Sequence, residues 1–91
     1  MPQPPEQVVG FLAANVRRTR LRRGLTQEEL AEAADLSTVH LQRIERGAAD
    51  IRVTALARLA EALGVQPGTL LRPSRPQKRR AGRPTKKGTR R

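Results

Sequence analysis

The sequence predicts an all-α fold, a single small domain of five short helices followed by a disordered basic tail. Three observations carry this. Apolar residues recur at helical spacing between about residues 8 and 71, and no run alternates apolar with polar residues as a half-buried strand would. Thr26, Ser37 and Pro67 stand where helical patterns begin, and Gly24, Gly47 and Gly64 stand where they stop. Charge is divided unevenly: Met1 to Leu71 carries nine basic and eight acidic residues, whereas Arg72 to Arg91 carries ten basic residues and no acidic one.

In order along the chain, "MPQPPEQ" holds three prolines in seven residues and is expected to be a disordered arm, residues 1–7. The first helix is expected from about Gln7 to Arg23, with Leu12, Val16 and Arg20 four residues apart, flanked by Val9, Ala13 and Leu21, and Gly24 closing it. Thr26 followed by Glu29 reads as a capping box, in which each side chain takes up the other residue's orphan amide. A second helix over Gln27 to Ala34 follows, with Leu30, Ala31 and Ala34 as its apolar face. Asp35 and Leu36 form a turn, and Ser37 caps a third helix, about 37–46, in which Leu41 and Ile44 point inward. The fourth helix sets Val53, Leu56, Leu59, Ala60 and Leu63 on one stripe. Pro67 then opens a short last turn through Leu71. The folded body is thus residues 8–71, and 72–91, without apolar residues to bury, is expected to be disordered.

Composition narrows the function. The chain has no cysteine, which excludes disulfides and cysteine-based zinc sites. The N-terminus lacks the basic start and apolar centre of a signal peptide, and no apolar run is long enough for a membrane span, so a soluble cytoplasmic protein is expected. The net charge of +11 requires a polyanionic partner, and nucleic acid suits a tail that has no apolar face for a membrane. Arginine outnumbers lysine sixteen to three, a ratio that a GC-rich genome explains as well as function does. A single aromatic residue, Phe11, assigned to the core or a dimer contact, argues against single-strand binding through base stacking. No nucleophile with its base, phosphate-cradling glycine loop or metal cluster is apparent, so neither an enzyme nor a cofactor is expected. Glu28, Glu29 and Glu32 read as a capping box and a solvated face, and His40 as a partly buried packing residue.

Thr26 and Ser37 start two helices eleven residues apart. Helices joined by so short a turn can cross steeply, the first bracing the second, provided a small residue lies at the crossing; Ala31 meets that need. The third helix then turns Val39, Gln42, Arg43 and Arg46 away from Leu41 and Ile44, with Thr38 at its N-terminal edge. Hydrogen-bonding, methyl-bearing and cationic groups on one slender helix suit a major groove. Arg43 can hold guanine in bidentate fashion, Val39 can pack on a thymine methyl, and Thr38 can reach either. The competing readings are a purely structural helix corner, a solvated Arg43 and an incidentally exposed Val39.

"NVRRTRLRRGLTQEELAEAADLS", "IERG" and "LARLAEALGV" resemble the XRE-type helix-turn-helix family of the lambdoid phage repressors and Cro, over Val16 to Leu71. The resemblance implies a lambda-repressor-like DNA-binding domain, a sequence-specific transcriptional regulator of repressor type associated with the nucleoid. It implies base contacts from Thr38, Val39, Gln42 and Arg43, and phosphate contacts from Gln27, Ser37 and Arg46. It also implies an ion pair between Arg20 and Glu45 that ties the first helix to the third. Family members usually bind as homodimers on two-fold sites; Val65, Leu70 and Leu71 are the candidate interface, with half-sites about 34 to 36 Å apart. The chain departs from the family pattern at Asp35, where glycine is usual, at Ile51, where proline is frequent, and at Ala48, Ala49 and Asp50, where basic or amide groups are frequent.

The tail supplies Arg79, Arg80, Arg83, Lys86 and Lys87 as further DNA contacts. Gly82, Arg83 and Pro84 match the core of an AT-hook, with Ala81 where that motif usually has arginine. Two other readings stay open: an architectural or RNA-associated polyanion binder whose helices dock a protein partner, and the autoregulatory antitoxin of a toxin–antitoxin pair.

Overall fold

The computed structural model describes residues 3–74, and the tail positions singled out above, Arg79 to Lys87, lie outside them. Five helices follow in order: α1 Pro5–Arg22, α2 Gln27–Ala33, α3 Thr38–Glu45, α4 Val53–Leu63 and α5 Pro67–Leu70. No strand occurs among the described residues.

Helix α1 begins two residues earlier than its periodicity suggests, inside the proline-rich stretch. Pro5 occupies the first helical turn, where its missing N–H would have no partner anyway and its fixed φ already suits a helix. Helix α2 has the full capping box: Thr26 Oγ1 accepts from the Glu29 amide at 3.0 Å and Glu29 Oε1 from the Thr26 amide at 2.8 Å. Ser37 caps α3 by accepting from the His40 amide at 3.0 Å.

The turn between α2 and α3 depends on a left-handed residue, and Asp35 supplies it at φ 57°. That conformation aims the Leu36 amide back at the Ala31 carbonyl, 2.8 Å away, which closes α2 and redirects the chain. Asp takes the glycine's place because its short polar side chain tolerates this region better than most.

The core is Leu12 and Val16 of α1, Leu30, Ala31 and Ala34 around α2, Leu41 and Ile44 of α3, Leu56, Leu59, Ala60 and Leu63 of α4, and Leu70 of α5. Helix α1 packs on α3, α4 and α5, while α2 packs on α3 and α4. Ala31 is buried at the α2 crossing, as its size allows. Several positions differ from the periodic reading. Val53 is 79% exposed, because as the first residue of α4 it projects beyond the end of the core. Leu21 is also exposed, and Phe11 is half-buried, outside the core cluster. Leu70, expected at an interface, has no accessible surface: the single turn of α5 folds it inward onto α1 and α4. Of the three interface candidates only the half-buried Val65 and the exposed Leu71 offer surface.

Candidate nucleic-acid interface

The outer face of α3 is set by what its inner face buries. Leu41 and Ile44 are enclosed, which turns Thr38, Val39, Gln42 and Arg43 outward. Val39 is 66% exposed, an apolar group on an otherwise polar surface. Arg43 is exposed, and its Nη2 donates to the Ala48 carbonyl at 3.3 Å, which leans the guanidinium toward the loop after α3. Arg46 is exposed at the C-cap of the same helix. His40 is half-buried, and its Nε2 is enclosed without a hydrogen-bond partner among the described residues.

A buried polar network fixes the angle at which α3 is presented. Arg20 and Glu45 form a two-pronged ion pair: Nε donates to Oε2 at 2.7 Å and Nη2 to Oε1 at 3.0 Å. Arg20 Nη1 also donates to the Leu25 carbonyl at 2.9 Å, so the same guanidinium holds the turn that leads into α2. Gln27 Nε2 donates to Glu45 Oε1 at 3.1 Å, and Gln42 Nε2 donates to Gln27 Oε1 at 3.3 Å. One connected chain of side chains thus joins α1, α2 and α3. The Arg20–Glu45 contact is the one that the family resemblance implies. The Gln27–Gln42 link joins two residues to which the resemblance gives separate roles, one toward phosphate and one toward a base.

These bonds leave defined capacity at the surface. Gln27 retains one amide proton and Gln42 its carbonyl oxygen and one proton. The Ser37 hydroxyl oxygen is engaged as a cap, but its own proton remains available to an acceptor. At the start of α2, the capping box satisfies the Glu29 amide and leaves those of Gln27 and Glu28 without an acceptor inside the helix. The loop after α3 contributes packing instead of charge: Ala49 and Ile51 are partly buried against the core, which explains an apolar Ile51 where proline is frequent.

Comparison with known proteins accords with this geometry. A helix-turn-helix family model matches residues 16–70. The uncharacterized HTH-type transcriptional regulator y4dJ of Sinorhizobium fredii is 38% identical over 64 residues, which cover 70% of this chain and 83% of that protein. The control protein C.BamHI of Bacillus amyloliquefaciens is 39% identical over 57 residues, covering 62% and 70%. Among solved structures, the hypothetical transcription factor NHTF from Neisseria superposes with a TM-score of 0.71 at 35% identity, covering 80% of this chain and 85% of that one. The family model takes in the C-terminal end of α1 and all of α2 to α5, with Arg20 and Glu45 inside its range, and the chain belongs to the XRE-type helix-turn-helix family of DNA-binding transcriptional regulators.

Proposed function

We propose that this protein is a sequence-specific repressor that reads the major groove of double-stranded DNA with α3. The supporting observation is the outward face of that helix, where a methyl-bearing Thr38, an exposed Val39, an amide at Gln42 and a guanidinium at Arg43 adjoin on a scaffold fixed by partly buried hydrogen bonds. In this reading Arg43 leaves the Ala48 carbonyl to pair with a guanine. That contact is one long bond to an exposed carbonyl, whereas a bidentate guanine contact makes two and supplies roughly 1–3 kcal/mol of discrimination. Gln27, the Ser37 hydroxyl and Arg46 hold phosphates on either side, and the tail cations Arg79, Arg80, Arg83, Lys86 and Lys87 add affinity that salt weakens. Two copies meet through Val65 and Leu71 to present two reading helices to a two-fold site.

Selection of bound sequences from a random duplex pool tests the reading. The wild-type chain should enrich a two-fold motif, and Arg43→Ala should relax it at one base-pair position in each half. Uniform weakening for all sequences would refute direct readout by Arg43.

A further inference from the structure

A second cationic site lies on the other side of α1, away from α3 and sharing Val65 with the face at which two copies are proposed to meet. Between the C-terminal half of that helix and the chain from Val65 to Ser74 is a cleft of about 390 Å³. Arg18, Arg22, Arg23 and Arg72 line it together with the hydroxyls of Thr19 and Thr69, and no carboxylate is among its lining residues. Arg22, Arg23 and Arg72 make no ion pair or side-chain hydrogen bond among the described residues.

The cleft is built on a buried polar floor. Asn15, 8% exposed, donates through Nδ2 to the Leu70 and Arg72 carbonyls, each at 3.0 Å. Its Oδ1 accepts from Arg18 Nη1 at 2.9 Å, and Arg18 Nη2 donates to Ser74 Oγ at 2.7 Å. These bonds clamp the backbone that carries Arg72 against the helix that carries Arg22. The clamp holds exposed like charges around one concave surface, an arrangement that an anion would complement.

We propose that this cleft binds a small ligand carrying at least two phosphate groups. Guanidinium groups pair with phosphate oxygens two at a time, and the threonine hydroxyls add donors between them. Three uncommitted guanidiniums exceed the roughly −1.5 to −2 charge of one phosphate monoester, so a diphosphate is the smallest group that balances them. The volume falls within the range of about 300–1,000 Å³ usual for small-molecule sites. Asn15, Arg18 and Arg22 share one face of α1, whereas Arg20 points to α3 from another, so the ligand and a DNA duplex on α3 occupy different sides of the body.

The test is a titration of the isotopically labelled full-length protein with sodium pyrophosphate at about 0.15 M ionic strength, with sodium sulfate as the matched control. The Asn15 side-chain amide and the Thr19, Thr69 and Arg72 backbone amides are the reporters. Saturable shifts at these positions are expected, with pyrophosphate at least tenfold tighter than sulfate. The double variant Arg22→Gln/Arg72→Gln should weaken this at least tenfold. Arg58→Gln, which removes a guanidinium on α4 outside the cleft, should leave it unchanged. The substituted side chains hold no partner among the described residues, and native dispersion of the Asn15 signals verifies the fold. Equal weakening by Arg58→Gln, or shifts confined to other residues, would overturn the proposal. So would a drop of about one unit per arginine in the salt slope of DNA binding, which would assign the cleft to the DNA backbone, or a change in oligomeric state in the double variant without phosphate, which would assign it to a second copy.

Discussion

Glu45→Ala should destabilise the fold far more than its position at the end of a short surface helix suggests. The Glu45 carboxylate accepts from Arg20 twice, at 2.7 and 3.0 Å, and from Gln27 at 3.1 Å, and the Arg20 and Glu45 side chains are only 8% and 3% exposed. Removing it leaves a buried guanidinium with the Leu25 carbonyl as its one remaining acceptor. Breaking a buried pair in this way costs about 3–5 kcal/mol, because one charge stays desolvated and uncompensated. At about 0.05–0.15 kcal/mol per residue, a body of this size has only about 4–10 kcal/mol to lose. Arg20→Met should cost a similar amount by stranding the carboxylate. The double variant Arg20→Met/Glu45→Leu removes both charges, and it should recover to within about 1 kcal/mol of the wild type. Urea unfolding followed by far-ultraviolet circular dichroism measures all four proteins. A cost below about 1 kcal/mol for Glu45→Ala, or a double variant that loses the sum of the two singles, would refute the claim that charge compensation secures α3.

Three further outcomes are expected. Asp35→Gly should raise stability by about 0.5 kcal/mol, the relief of a left-handed side chain less the entropy of a looser unfolded chain, whereas Asp35→Val should lower Tm by about 8 °C or more; a tolerated valine would count against the strained turn. Asn15→Ala should cost about 1–3 kcal/mol and speed hydrogen exchange at Leu71 and Arg72 selectively, since the Leu70 and Arg72 carbonyls lose their donor. Leu70→Ala should cost about 2–5 kcal/mol in unfolding experiments, while Leu71→Lys should leave stability nearly unchanged and weaken self-association in sedimentation experiments; the reverse pattern would return Leu70 to the interface.

Helix starts and stops were legible because their causes are local. Thr26 with Glu29, Ser37 before α3 and the glycines after α1, α3 and α4 act within a few residues of themselves, so a sequence window contains the whole argument. The start of α1 was legible only in part, since a run of prolines signals disorder and a helical first turn with the same residues. Direction along short elements was the harder matter. A single turn such as α5 has no second period to show which side faces in, and Leu70, expected at an interface beside Leu71, is buried on that account while Leu71 stays exposed. What no window could show is the partnership of Asn15 with carbonyls 55 and 57 residues away, or of Gln27 with Gln42. Glutamine and asparagine side chains carry no periodic signature. Their partners are chosen by the tertiary fold that their neighbours build.

The charge-poor loop after α3 takes on a different meaning beside that packing. Ala49 and Ile51 seal the core under α3, so the loop contributes to holding the reading helix and has little to offer a phosphate. In the proposed function the phosphate-facing charge then falls to exposed Arg46 and to the tail cations Arg79, Arg80, Arg83, Lys86 and Lys87, while the body itself is nearly neutral. Preference and affinity therefore rest on different physics. Preference depends on a helix oriented by buried hydrogen bonds that ionic strength barely reaches, and affinity depends on exposed cations that it screens. In the proposed function a nearly neutral body gains contact with any duplex through its cationic tail and keeps the choice of sequence in Thr38, Val39, Gln42 and Arg43. Rising salt should therefore loosen the grip on DNA well before it blurs which sequence is chosen.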